Sequence, residues 1–352
     1  IERVERFLRF TDRLPEEVLG RLLPEKREAT VWNVAVNGVM SGCRPEYMPI
    51  LLAIVEAISE PVWRIEDAGS TPGWDPLIIV SGPIVKELNF NFEASAMRVG
   101  RQANTSIGRF LRLYMRNIPG MRIAGSNEGK PTYTDKGSIA GGFNVALAEN
   151  EDAVAAVGWK TFGEERGFDA GKNVVTVQSV VAISPPIYVA GEDPAVMADT
   201  IARAWGNGDV AYWSSTGMRY GRWHPLLVMT PAVAQAFARG GWTKDDLRRY
   251  LAENVKIPAW LVERYHFEVS GGKIDISPLA EAGIISREYV TSSDPDRLLP
   301  VFPWPEWIGI VVAGDPGRNQ VKGYTNNHQQ SPPVSKEVRL PDNWNRLLDM
   351  AR

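Results

Sequence analysis

Cys43 is the only cysteine among 352 residues, set in Val39-Met40-Ser41-Gly42-Cys43-Arg44-Pro45-Glu46-Tyr47, and a thiol placed at a turn can serve as a nucleophile or redox group. The flanks define that turn. Residues 29–40 carry Ala29, Val31, Trp32, Val34, Ala35, Val36, Val39 and Met40, and residues 48–58 carry Met48, Ile50, Leu51, Leu52, Ile54, Val55 and Ile58. Such runs predict two buried helices joined by the Ser-Gly-Cys-Arg-Pro segment. Pro45 or Pro49 opens the second helix, because the first helical turn tolerates a missing N–H. Cys43 then lies beside a helix N-terminus, where free amides and the positive dipole end favour a thiolate, and Arg44 adds a cation. An acidic thiol is the expectation. The plain alternative is a buried cysteine acting as a small apolar filler.

A second candidate is the helix start Gly100-Arg101-Gln102-Ala103-Asn104-Thr105-Ser106-Ile107-Gly108-Arg109. Asn104, Thr105 or Ser106 can cap it, leaving amides for an anion, with Arg101, Arg109 and Arg112 supplying charge. A small carboxylate would suit such a place. Arg109, Arg112 and Arg116 also recur at helical spacing, which fits an ordinary solvated face. Glu149, Asn150, Glu151 and Asp152 follow a strand expected to end at Ala148, and Glu164-Glu165-Arg166 comes soon after. Carboxylates held close together can divide general acid and base roles, whereas carboxylates at a solvated strand end do nothing chemical. His224, His266 and His328 show no metal-binding spacing, and neither a Walker loop nor a Gly-x-Ser-x-Gly elbow occurs. No motif calls for a cofactor or a metal.

Several segments resemble one bacterial family, encoded beside or fused to small UGSC-motif selenocysteine or cysteine proteins. Asn37-Gly38-Val39-Met40-Ser41-Gly42-Cys43-Arg44-Pro45-Glu46-Tyr47-Met48-Pro49 is similar to its "NAVMAGC-PEY-P" segment. Gly82–Leu88 resembles its "GPI-xEL" turn, Ala103–Leu113 its "AN-xxIGRALRL" helix, Ala148–Glu151 its "AENEE", Glu165–Phe168 its "ERGF", and Val312–Arg318 its "VAGG-xGK" turn. The resemblance implies a thiol- or selenol-assisted enzyme of more than one subunit, with a UGSC-type partner protein. Within the similar segments the site residues are Cys43, Glu149 and Glu151 for chemistry and Arg44, Asn104, Ser106, Arg109 and Asn150 for binding. The chain itself carries no UGSC or CxxC sequence. It also departs from the family at Asn89–Met97, where a glycine-rich run is expected, which implies a different substrate if that run shapes the site.

With 44% hydrophobic and 23% charged residues and a net charge of −3, the composition is that of a globular protein rather than a nucleic-acid binder. No basic run approaches the cluster a phosphate backbone would require, and Arg248-Arg249 inside Lys244-Asp245-Asp246-Leu247-Arg248-Arg249 reads as a solvated helix face. No run of about 18 apolar residues predicts a membrane span, and no charged-then-apolar leader opens the chain. A cytoplasmic location is the default expectation, since one cysteine cannot form an internal disulfide. The start at Ile1 suggests that the native beginning is missing.

These residues need a scaffold. Residues 1–60 read as helical, with Leu8, Leu14, Val18, Leu19, Leu22 and Leu23 as a buried stripe. A turn-rich linker at 68–76 precedes the first strong strand, Leu77–Val80, and further apolar runs occur at 143–147, 174–183, 187–190, 226–229 and 308–313. Helices are expected at 103–116, 194–205, 231–239 and 243–254. The pattern predicts an α/β or α+β protein, a helical N-terminal region followed by a mixed sheet with flanking helices, in two lobes. The expected division is 1–70 as the helical region carrying Cys43, 71–207 as a first α/β lobe, and 208–352 as a second with a C-terminal arm. Three strands end in turns, at Ser81-Gly82-Pro83, Thr230-Pro231 and Ala313-Gly314, which line one crevice if they share a sheet edge. Val301-Phe302-Pro303-Trp304-Pro305-Glu306-Trp307 and Ser331-Pro332-Pro333-Val334 are expected to pack against another lobe or subunit, which implies a homo-oligomer.

Two functions fit these features. The first is an enzyme or enzyme subunit acting on a small polar or anionic molecule, with Cys43 as nucleophile or redox thiol and Glu149 or Glu151 transferring protons. The second is a non-catalytic subunit that binds substrate or docks a thiol- or selenol-bearing partner.

Overall fold

The computed structural model describes residues 1–66, 74–121, 144–206, 224–261, 275, 277–283, 286–302, 304–326 and 332–351. Mixed sheets with flanking helices make it an α+β protein. The chain forms two compact units, one comprising Ile1–Glu151, Lys160–Ser179 and Ser331–Arg352, the other Asp152–Trp159 and Val180–Gln330. This differs from the division expected at 70 and 207. The helical N-terminal residues share a core with the first large sheet, and the C-terminal segment returns to that same core, so neither forms a separate body.

The first unit begins with α1 (Glu2–Leu8), the hairpin β1 (Val18–Leu22) and β2 (Arg27–Thr30), then α2 (Val31–Ser41) and α3 (Met48–Ser59). The hairpin corrects the reading of residues 1–60 as wholly helical. Leu14, Val18 and Leu23 are exposed while Leu22 is buried, and the β1–β2 register is irregular between Val18 and Gly20. Thr30 caps α2 by accepting the Asn33 N–H at 3.1 Å, and Gly42 ends it at φ 80°, a left-handed conformation that glycine adopts without penalty. Pro45 opens a 3₁₀ turn and Pro49 sits in the first turn of α3, so both prolines mark the second helix.

There follow β3 (Asp75–Ser81), the single turn α4 (Ile84–Glu87), the long α5 (Gln102–Asn117) and β4 (Leu147–Ala148). The helix α6 (Glu151–Ala156) leads into the second unit, and the chain returns for α7 (Phe162–Glu165) and β5 (Val174–Val180). The sheet runs β13-β5-β3-β4, with β13 (Val334–Glu337) antiparallel to β5 and β4 parallel to β3. Ile78 and Val80 of β3, with Val175 and Val177 of β5, point into a core shared with α2, α3 and α5. The proline-rich segment before Val334 thus leads into an edge strand, and α13 (Trp344–Ala351) closes the unit.

The second unit contains β6 (Ala182–Ile183), β7 (Ile187–Tyr188), α8 (Pro194–Trp205), β8 (Leu226–Met229), α9 (Pro231–Arg239) and α10 (Lys244–Asn254). The pair β9 (Lys256–Pro258) and β10 (Leu298–Pro300) brackets the short helices α11 (Ser277–Glu281) and α12 (Glu288–Thr291). Its main sheet runs β11-β8-β12-β6, from β11 (Gly309–Val312) and β12 (Gln320–Thr325), with β8 and β11 parallel. Capping explains the sharp helix starts. Thr243 and Asp246 exchange hydrogen bonds across the first turn of α10, and Asp193 caps α8. Of the three strand-end turns expected to share a crevice, those after β8 and β11 lie on adjacent strands, while the turn after β3 belongs to the other unit.

The described residues of 301–307, which exclude Pro303, make their contacts within their own unit. Val301 and Phe302 are buried, Phe302 lies 4.7 Å from Trp205 between ring centres, and Trp307 stacks between Trp304 and His224, each at 4.6 Å. Trp304 and Trp307 remain half-buried. Phe143, His266, His328 and most of the linker at 68–76 lie outside the described residues. Among those residues no helix is long and apolar enough to cross a membrane.

Candidate functional site

Two places in the first unit gather the residues singled out from the sequence. One surrounds Cys43. The other lies at the carboxyl ends of β3 and β4.

Cys43 directly follows the Gly42 cap of α2, and its N–H donates to the Gly38 carbonyl at 3.0 Å. It therefore sits at the C-terminus of α2, where exposed carbonyls disfavour negative charge, and also directly before Arg44, the N-cap of the 3₁₀ turn that Pro45 opens into α3. The side chain is only 9% exposed. The Ser41 hydroxyl lies 3.4 Å from Sγ, and Ser106 of α5 is a further hydroxyl neighbour. Burial pushes the thiol up to about 11, outweighing both hydroxyls, which act in the opposite direction. The expected acidic thiol is thus corrected. Arg44 does not reverse this, because its guanidinium is engaged with Glu46 at 2.5 Å.

Glu46 escaped the sequence reading although it stands inside the most distinctive motif. Its side chain is 4% exposed beneath Arg44, and its second carboxylate oxygen, Oε2, has no hydrogen-bond partner. Tyr47, the next residue, is buried, and desolvation raises its phenol to about 12. The signal available was the motif itself, in which the cation, the acid and the phenol follow the cysteine within four residues.

The helix start expected to bind an anion has a different role. Arg101 occupies the N-cap position with no side-chain cap, so none of Asn104, Thr105 and Ser106 caps the helix. Asn104 is 1% exposed, accepts the Asn91 N–H at 2.7 Å, and donates both amide hydrogens, to the Asn91 and Ala146 carbonyls, each at 2.9 Å. It is a strut between the 89–97 loop, α5 and the approach to β4. Ser106 donates to the Gln102 carbonyl at 2.7 Å, while Arg109 faces outward. Arg112 pairs with Asp75. In the 89–97 loop, where the resemblance expects glycines, Asn89 and Ser95 take left-handed conformations at φ 58° and 63°.

The contacts of α5 give its direction. Residue 104 lies beside Ala146, and Gly108 lies against Val145, where a Cβ would come within 2.3 Å of the Val145 backbone nitrogen. The helix therefore runs antiparallel to this segment and opens toward the carboxyl end of β4. Gln102 in that first turn donates to the Gly42 carbonyl at 3.1 Å, which ties the Cys43 turn to the same helix start.

At the strand ends, the Glu149 N–H continues the β3–β4 ladder to the Val80 carbonyl at 3.0 Å. Its side chain is wholly buried, and Oε2 accepts the Phe162 N–H at 2.7 Å, in the first turn of α7, whose Thr161–Glu164 capping box fixes that turn. Asn150 is buried beside it. Glu151 is half-buried, and its Oε1 accepts the Gly82 N–H at 2.6 Å in the turn after β3. Both carboxyl groups thus accept hydrogen bonds from backbone amides at the carboxyl edge of a parallel strand pair. The hydrogen-bonding neighbours of Cys43 are hydroxyls, and the two carboxylates hold amides of their own, so the structure joins Cys43 to α5 but not by a hydrogen bond to Glu149 or Glu151.

Among the described residues no group of three or more His, Cys, Asp and Glu side chains could hold a metal ion. His224 is buried against Trp307 in the second unit. Comparison of the chain with protein-family models, with curated proteins and with solved structures yields no match.

Proposed function

We propose that this chain is an enzyme or enzyme subunit acting on a small polar or anionic molecule bound at the carboxyl edge of β3 and β4. The observation that carries this reading is the pair of carboxylates there, Glu149 buried against the Phe162 amide and Glu151 half-buried against the Gly82 amide. Ligands of open α/β sheets collect outside the carboxyl ends of parallel strands, and the first turn of α5 faces the same end. In this reading Glu151, the more accessible of the two, transfers protons, while Glu149 holds the β4 end and the α7 start in register. Cys43 takes part when its niche opens, as on docking of the thiol- or selenol-bearing partner that the sequence resemblance suggests. Thermal-shift and calorimetric screening of small carboxylates, amides and hydroxy acids tests this. Glu151→Gln, which keeps an acceptor for the Gly82 amide, should lose binding of the ligands that stabilise the wild type. Ligands that bind both proteins equally would place the site elsewhere.

A specific observation favours a second reading, a non-catalytic docking subunit. A cysteine 9% exposed with its thiol at about 11 is nearly all protonated at neutral pH and hard to reach. In that case neither Cys43→Ser nor Glu151→Gln would alter turnover by an assembled complex, whereas the first reading requires at least the second to abolish it.

A further inference from the structure

The first unit contains a cavity of about 370 Å³ that the proposed function does not use, between the loop after α1, one face of α3, and the chain following β13. Its floor is apolar. Pro49, Leu52 and Ala53 come from successive positions on one face of α3, and Leu340 and Pro341 come from the C-terminal segment. Its rim is charged. Asp12, Glu17, Glu56 and Glu337 face Arg13 and Arg339, four carboxylates against two guanidiniums.

The internal pairings show which charges are already matched. Arg13 is held between Glu17, at 2.7 Å, and Glu56, so the chain itself sets a guanidinium against two of the acids. Glu337 pairs with Lys172 at 2.8 Å, and Asp12, which forms no ion pair among the described residues, accepts the Asp342 N–H on Oδ2 at 3.1 Å. Arg339 is exposed at the rim. An apolar floor under an acidic rim is complementary to an amphipathic cation, and the volume lies at the small end of the range for ligand pockets.

We propose that this cavity is a binding site for a small organic cation, an amine or guanidine carrying an apolar body. The apolar body lies over Leu52, Ala53 and Leu340, and the cationic head lies among the rim carboxylates. The site rests on groups separate from the β3–β4 edge, so its failure and that of the proposed function are independent.

The test uses the full chain and 2-phenylethylamine as probe, with 3-phenylpropionate as the matched anion, followed by calorimetry at low salt and by NMR titration. The amine should bind one site with a dissociation constant on the order of 1 mM or tighter, and the anion should bind at least tenfold more weakly. Asp12→Asn keeps the acceptor for the Asp342 amide and removes one charge, and should weaken the amine about threefold to tenfold. Arg339→Glu should tighten it by a similar factor, both effects shrinking as salt is added. Ala53→Leu fills the floor and should abolish binding while circular dichroism stays native. If that variant does not fold, the opposed shifts from Asp12→Asn and Arg339→Glu decide alone. The proposal is overturned if the anion binds as tightly as the amine, if the amine ignores both charge changes, or if a folded Ala53→Leu protein binds it normally.

Discussion

Alkylation of Cys43 as a function of pH follows directly from its surroundings. Burial raises the thiol from 9.0 to about 11, so at neutral pH the thiolate is about a hundredfold scarcer than in an unfolded chain. Iodoacetamide should therefore modify the native protein at least a hundredfold more slowly than the protein in urea, and the rate should climb about tenfold per pH unit without a plateau below pH 10. The same shift acts on stability. Because the folded state keeps the proton longer, the contribution is fully present below pH 9 and is lost as pH rises toward 11, amounting to about 3 kcal/mol. Cys43→Ala removes the titration, so the stability difference between wild type and variant should shrink across that window in urea unfolding followed by circular dichroism. A native rate that equals the denatured one, or that levels off below pH 8, would show an activated thiolate and refute the burial argument.

Asn104→Ala deletes three hydrogen bonds to buried backbone groups and should cost about 3 kcal/mol, read as a lower urea midpoint. Gly108→Ala forces a Cβ to within 2.3 Å of the Val145 nitrogen and should cost about 2–3 kcal/mol in the same assay, although alanine is the better helix former. Reversing Arg44 to Glu leaves Glu46 buried beside a like charge and should destabilise more than Arg109→Glu, which changes an outward-facing side chain.

Much of the framework is legible in the sequence because its boundaries are local. The helices at 194–205 and 231–239 begin at prolines preceded by Asp193 and Thr230, and β3, β8 and β11 are apolar runs closed by turn formers. The hairpin β1–β2 escaped because Leu19, Leu22 and Leu23 also satisfy a helical period, and only the pairing with β2 decides between the two. Strands β12 and β13 escaped for another reason. Gln320-Val321-Lys322-Gly323 alternates too briefly to stand out, and Val334-Ser335-Lys336-Glu337 has a single apolar residue and no alternation. The return of residues 331–352 to the first unit leaves no local trace at all.

The candidate site was legible to a similar degree. The motif around Cys43 and the acids after Ala148 were visible as positions, and the structure adds what surrounds them. Ser106, which contacts the thiol, is 63 residues away in the chain, and the Phe162 amide that holds Glu149 is 13 residues away. Asn104 shows the limit most clearly. Its type and place suited a ligand-binding cap, but its partners are the backbone at Asn91 and Ala146, and neither partner can be inferred from the helix alone.

Crystals soaked with a set of small polar fragments, including carboxylates and amides, test the functional account most directly. Density for a bound fragment is expected at the carboxyl edge of β3 and β4, within hydrogen-bond distance of Glu151 and absent in Glu151→Gln crystals. Fragments bound reproducibly elsewhere, with that edge occupied by none of them, would contradict it.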